Sequence, residues 1–149
     1  MKSLNKHISV CICTYKRPKL LEHLLEKLQH QKTDKLFTYS IVLVDNDFGQ
    51  SAKAIFESFK GKAKIDIDYH VEPEQNIALA RNKAVDNSKG DFVAFIDDDE
   101  FPEDNWLINL YKTCREFHAN GILGPVKPYF ETEPPRWIIR GKFCDRESF

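Results

Sequence analysis

Three consecutive aspartates, Asp97, Asp98 and Asp99, follow the apolar run Phe92-Val93-Ala94-Phe95-Ile96. Such a run reads as a strand buried on both faces. Three carboxylates at its end cannot stay ionised side by side without cations or strong donors close by. On an extended chain Asp97 and Asp99 point the same way and Asp98 points away. Two oxygen ligands then converge at the rim of a sheet, which suits a hard divalent ion such as Mg²⁺ or Mn²⁺. The plainer reading is an acidic lead into a helix opened by Pro102 and Glu103. A lead of that kind needs one carboxylate, and three stand here.

Arg81 is the second anchor. On a helix predicted over 75–87, Ile77, Ala80, Arg81, Ala84 and Val85 form the sheet-facing stripe. An arginine in such a stripe either snorkels outward or meets a buried anion. With three aspartates and a cation on the same edge, a phosphate between them is the better account, because a guanidinium can hold a diphosphate that the cation also neutralises. Lys16 and Arg17 stand at the start of the first helix, where cations are unfavourable unless an anion joins them. Solvated charges on a first turn explain them equally well. Asp45 and Asp47 end a second strand, where carboxylates could accept from a base or a ribose hydroxyl. For Asp47 an Asx turn before Gly49 is an equal alternative.

These side chains need a frame. The 149 residues are 42% apolar and 30% charged with a net charge of −1, which suits one globular domain and gives no pull toward nucleic acid or an anionic membrane. No stretch approaches a membrane span, and the first six residues lack a signal-peptide core. The expected location is the cytoplasm, with a peripheral place at the inner face of a membrane left open. Cys11 and Cys13 read as small buried hydrophobes of one strand, Cys114 falls on a helical stripe and Cys144 in the tail. With no CxxC and scattered histidines, zinc and disulfide readings are poor.

The predicted strands cover 8–14, 40–44, 65–71, the Asp97 run and a short closing strand at 122–126. Between them lie a helix opened by Pro18 with Leu20, Leu21, Leu24, Leu25 and Leu28 as its stripe, a second with Ala52, Ile55, Phe56 and Phe59 inward and Gly61 as terminator, the Arg81 helix, and a fourth marked by Trp106, Leu107, Leu110, Tyr111, Cys114 and Phe117. Alternation of this kind predicts an α/β domain over 1–126 with a mainly parallel, doubly wound sheet. Ligands of such sheets bind beyond the strands' carboxyl ends, where the 14–17, 45–47 and 97–99 clusters all fall. An irregular tail, 127–149, follows, with Pro128, Pro134, Pro135, Tyr129, Phe130, Trp137, Phe143 and Phe149. So many aromatics are unusual for a disordered tail.

Four segments in order carry a resemblance: Ile8-Ser9-Val10-Cys11-Ile12-Cys13-Thr14-Tyr15-Lys16-Arg17, Ile41-Val42-Leu43-Val44-Asp45, Ala80-Arg81-Asn82, and Gly90-Asp91 through Asp97-Asp98-Asp99. Together with Trp106-Leu107 they resemble the family 2 glycosyltransferases, which have the GT-A nucleotide-sugar-binding fold. The likeness spans 8–126. It implies inverting transfer of a sugar from a nucleoside diphosphate donor, commonly UDP, to a saccharide or other hydroxyl acceptor, assisted by Mn²⁺ or Mg²⁺ at a DXD-type motif. It implies that Thr14, Tyr15 and Arg17 border the nucleotide, that Asp45 faces the base, and that Arg81 faces the base or diphosphate. Asp97 and Asp98 would lie near ribose and metal, with Asp99 the chief metal ligand, so that the metal set is Asp97 and Asp99.

Asn46 stands where family members often carry a second aspartate. The family's general base usually lies on a later segment; Glu131, Glu133, Asp145 and Glu147 are available, none in a family motif. Glu133 occupies the glutamine position of a Gln-x-x-Arg-Trp element, so Arg136-Trp137 is not taken as that element. The chain looks like a donor-binding half with little of the acceptor half, and a homo-oligomer would fit the unpacked tail. The competing reading is a catalytically incomplete domain that binds nucleotide or a partner protein. A nucleotidyltransferase wants a glycine-rich loop where Thr14-Tyr15-Lys16-Arg17 stands; an aspartyl-phosphate phosphatase wants a small hydroxyl residue where Phe101 stands; a dinucleotide oxidoreductase wants the absent GxGxxG.

Overall fold

A computed structural model describes residues 6–142; Phe143, Cys144, Asp145, Glu147 and Phe149, named above, lie outside the described residues. The elements are β1 (Lys6–Thr14), α1 (Pro18–Leu28), β2 (Phe37–Asp45), α2 (Lys53–Lys60), β3 (Ile67–Val71), α3 (Ile77–Asp86), β4 (Phe92–Phe95), α4 (Trp106–Glu116) and α5 (Arg136–Gly141). The strands form one sheet in the order β3-β2-β1-β4, parallel throughout. From β1 through β3 the chain steps one way across the sheet, and from β3 to β4 it steps back. Right-handed crossovers therefore put α1 and α2 on one face and α3 on the other. The architecture agrees with the α/β, doubly wound expectation.

Both faces of β1 and β2 are sealed. Cys11, Val42 and Val44 meet Ala80 and Ala84 of α3, with Cys13 packed beside them. The opposite face carries Val10, Ile12, Ile41 and Leu43, all buried. Alanines at i and i+4 let α3 approach the sheet closely, and Asn76 caps the helix by accepting from the Ala78 and Leu79 amides. Gly90 sets the entry to β4. A Cβ there would lie 2.6 Å from the His7 carbonyl oxygen, and the Ser9 hydroxyl accepts from the Lys89 and Gly90 amides.

Several expectations need correction. β4 is not buried on both faces: Val93 and Phe95 are 40% and 44% exposed. They share the α3 side of the sheet through their register with Ser9 and Cys11, but the Ala80–Ala84 ridge packs on β1 and β2 and leaves β4 bare. The α3 stripe splits for the same reason. Ala80 and Ala84 are buried, whereas Ile77, Arg81 and Val85 form an exposed flank. Leu20 of α1 is exposed, and only Leu21, Leu24, Leu25 and Leu28 are inward. α4 starts at Trp106 rather than at Pro102.

The chain divides into two compact units after Asn109, inside α4. In the second unit, 122–126 is not a strand. Pro125 has no amide hydrogen to give a ladder, Gly124 weakens an extended run, and Leu123 is 96% exposed. The tail instead contributes the short α5, entered from Pro135. A proline just ahead of Arg136 was the available signal.

Candidate donor site

The carboxyl end of β1 turns sharply. Lys16 has a φ of 54°, in the left-handed region, which is uncommon for a residue with a side chain. The turn lets Arg17, just ahead of α1, reach back over the sheet. Its Nη1 donates to Asp98 Oδ1 at 3.1 Å and to Asp99 Oδ2 at 3.0 Å. The Asp98 charge and hydrogen bond, followed by the Asp99 charge, push the guanidinium pKa up. Thr14 ends β1 with its hydroxyl donating to Asp98 Oδ2 at 2.7 Å. Asp98 is 5% exposed and both its oxygens are engaged.

The strand itself ends before 97–99, yet Asp98 is turned inward while Asp97 and Asp99 stay exposed, as alternation predicts. The chain leaves the strand at Phe95 and turns, with the Glu100 amide donating to the Asp97 carbonyl at 3.1 Å and the Asp97 amide to Glu100 Oε2 at 3.1 Å. Asp98 therefore points inward to Thr14, and Asp97 goes to a different partner from Asp99. Arg81, on the exposed flank of α3, donates from Nη2 to Asp97 Oδ1 at 3.0 Å and lies 5.9 Å from the Phe95 ring centroid. Neither snorkelling into open solvent nor deep burial describes it. It crosses from helix to strand end.

These groups line one cavity of about 430 Å³. Of the residues singled out from sequence, Thr14, Tyr15, Arg17, Arg81, Asp97, Asp98 and Asp99 meet there. Asp45 does not. It is fully buried, with Oδ1 accepting from the Asp47 amide at 3.1 Å and Oδ2 from the Ala52 amide at 2.8 Å and the Tyr69 hydroxyl at 2.9 Å. Burial first, then that bond to Asp45, raises the Tyr69 pKa. A carboxylate with three donors organises the β2–α2 connection, away from the cavity lining. Asp47 accepts from the Gly49 amide at 3.1 Å, the Asx-type alternative. Sequence reasoning left out Cys13, Asn46, Gln75, Asn76 and Ile77, which complete the lining. The N-cap pattern at Asn76, a polar residue just before a helix, was a usable signal. Burial, against which Arg81 acts, holds the Cys13 thiol at about 11, so it stays protonated at neutral pH.

Among the described residues, no three His, Cys, Asp or Glu side chains converge as a preformed metal centre. Asp97 and Asp99 are nevertheless open, with side chains 58% and 53% exposed, against 7% for Asp98. Open carboxylate oxygens are the donor type that hard divalent cations take.

Residues 9–146 match the sequence profile of glycosyl transferase family 2. The chain belongs to that family. It is 39% identical over 137 residues to the succinoglycan biosynthesis protein ExoM of Rhizobium meliloti, covering 92% of this chain and 44% of ExoM. It is 28% identical over 136 residues to the chondroitin synthase of Pasteurella multocida, covering 89% of this chain and 14% of the synthase. The family 2 chain thus spans less than half the length of these relatives. Its fold is similar to S. aureus TarS in complex with UDP, with TM-score 0.63, 25% identity, and coverage of 80% of this chain and 38% of that one. It also resembles the mannosyltransferase PcManGT of Pyrobaculum calidifontis, solved with GDP-Man and Mn²⁺ (TM-score 0.64, 20% identity, 75% of this chain and 33% of that one). No described helix of the family 2 chain is long and apolar enough to cross a membrane.

Proposed function

We propose that the cavity at the strand ends binds a nucleoside diphosphate sugar, with UDP as the nucleotide, and that the sugar passes with inversion to an acceptor hydroxyl. The observation that carries this reading is the joint placement of Arg17, Arg81 and three aspartates around one cavity. Two guanidiniums supply bidentate donors for a diphosphate. The UDP and GDP-Man complexes of the structural neighbours support the donor class.

The contacts around the cavity support the following roles. Thr14 holds Asp98 in place, and Asp98 with Asp99 holds Arg17 at the cavity rim. Arg17 and Arg81 exchange carboxylate for phosphate oxygens when the donor enters, so charge developing on the leaving diphosphate meets donors already positioned. Asp97 and Asp99 are the residues we assign to a divalent cation, Mn²⁺ or Mg²⁺. Held by Asp97 and Asp99, such a cation would supply Lewis-acid neutralisation of the diphosphate. None of the three aspartates is assigned as the base that deprotonates the acceptor, which the family resemblance puts on a later segment.

Calorimetric titration with UDP, GDP, CDP and ADP, each with and without Mn²⁺, tests the donor site. Cation-dependent binding of one nucleotide, lost in Asp99→Ala, is the expected result; no binding of any nucleotide overturns the reading. Binding without sugar transfer to any acceptor favours the alternative, a nucleotide-binding domain without turnover.

A further inference from the structure

Asn46 lies just past the end of β2 and is 5% exposed. Its Nδ2 donates to the carbonyl oxygens of Glu72 at 3.0 Å and Glu74 at 2.6 Å, and its Oδ1 accepts from the Asn76 amide at 3.0 Å. The orientation of the carboxamide is set by its partners, since the flipped form would face its oxygen to two carbonyls and its NH₂ to an amide donor. Both Nδ2 hydrogens are therefore used, and the side chain has no donor left for a ligand.

The three bonds fasten the connection between β3 and α3. Lys83 ties the same connection from the helix side, with Nζ 2.8 Å from the Val71 carbonyl and 2.9 Å from Glu72 Oε2. Asn76, held by Asn46, is the residue that caps α3. Gln75, Asn76 and Ile77 form one wall of the cavity, and α3 carries Arg81 to Asp97.

We infer that Asn46 is a positioning residue for the donor site: a carboxamide staple that fixes the 75–77 wall and, through the α3 cap, the reach of Arg81. The inference rests on the donor-site reading above. It also gives a reason for a carboxamide at this position. An aspartate of the same shape would set a carboxylate oxygen against the Glu72 and Glu74 carbonyls and lose both donated bonds.

Asn46→Asp and Asn46→Ala in the full 149-residue chain test it with three readouts. Without ligand, backbone amides over 72–79 should exchange at least about tenfold faster in both variants, while β1 and β2 keep their protection. With Mn²⁺ and UDP or GDP, the dissociation constant should rise about tenfold or more, with Asn46→Asp the worse. In sugar transfer, KM should rise while kcat holds; loss of folded protein alone would lower apparent kcat and leave KM unchanged. Unchanged exchange overturns the staple. Faster exchange with unchanged nucleotide affinity overturns the positioning role. A wild-type chain that binds no nucleotide overturns the donor site and that role with it, and the exchange result then decides the staple alone.

Discussion

Asp98 and Asp99 are neighbours that share the Arg17 guanidinium, yet their surroundings differ. Asp98 is nearly closed off, and the Thr14 hydroxyl is one of its two partners. Thr14→Val keeps the shape and removes that donor, leaving a buried carboxylate oxygen unmatched. The expected loss is about 1–3 kcal/mol in urea unfolding, and a loss below about 0.5 kcal/mol would mean solvent replaces the hydroxyl. Asp99 is half-exposed, and exposed ion pairs contribute little. Asp99→Ala should therefore move stability by no more than about 0.5 kcal/mol while cation-dependent nucleotide binding falls below detection in calorimetry. Comparable losses of stability and binding would make Asp99 a structural residue. That Asp98 turns away from Asp97 and Asp99 was legible from strand alternation, but the partner each carboxylate meets was not. The triplet was legible as a site because acidic residues at a strand end are conspicuous, but the turn at Asp97 that redirects each carboxylate depends on Glu100 and Thr14 together.

α3 shows how one element is held at its two ends and along its length. Its ridge of Ala80 and Ala84 is buried, its N-terminus is capped by Asn76, and Lys83 bonds the strand behind it. Lys83 and the Glu74 amide hold the Glu72 carboxyl below the usual carboxylate range. A folded-state pKa below the unfolded value, about 4.3, stabilises the folded form above that value, and the contribution is lost as pH falls through the folded-state pKa. Acidification below about pH 4 should speed amide exchange over 72–76, and Glu72→Gln should remove that pH dependence. Exchange with the same acid dependence in the variant would assign the effect to another group. At the other side of the sheet, Gly90→Ala would press a Cβ onto the His7 carbonyl and the Ser9 amide. β4 must then shift against β1, and a loss of about 3 kcal/mol or more is expected in thermal or urea unfolding. The helix periods and the Pro18 start were readable from local pattern. Which flank of α3 is bare was not, because Ile77 and Val85 are as apolar as the residues that are buried.

Across the first compact unit the sheet is closed over β1 and β2 and bare over β4. Leu25→Ala, in the sealed layer, should cost about 2–5 kcal/mol. Phe95→Ala, 44% exposed, should cost about 1 kcal/mol; equal costs would mean that β4 is covered in solution. The alternating elements, the parallel sheet and the gathering of polar clusters at the strands' carboxyl ends were legible in the residues alone, because hydrophobic period and crossover handedness act locally and leave few topologies. The apolar runs could not say how deeply each was buried, which is why β4 was read as sealed and 122–126 as a strand. Long-range packing settles that Asp45 is shut away under Tyr69 and Ala52, that Asn46 fastens the 72–76 connection, and that Arg17 and Arg81 face different aspartates. Those outcomes depend on which donors arrive from residues 7 to 81 positions away in the chain, and a buried carboxylate or carboxamide takes its role from its partners rather than from its type.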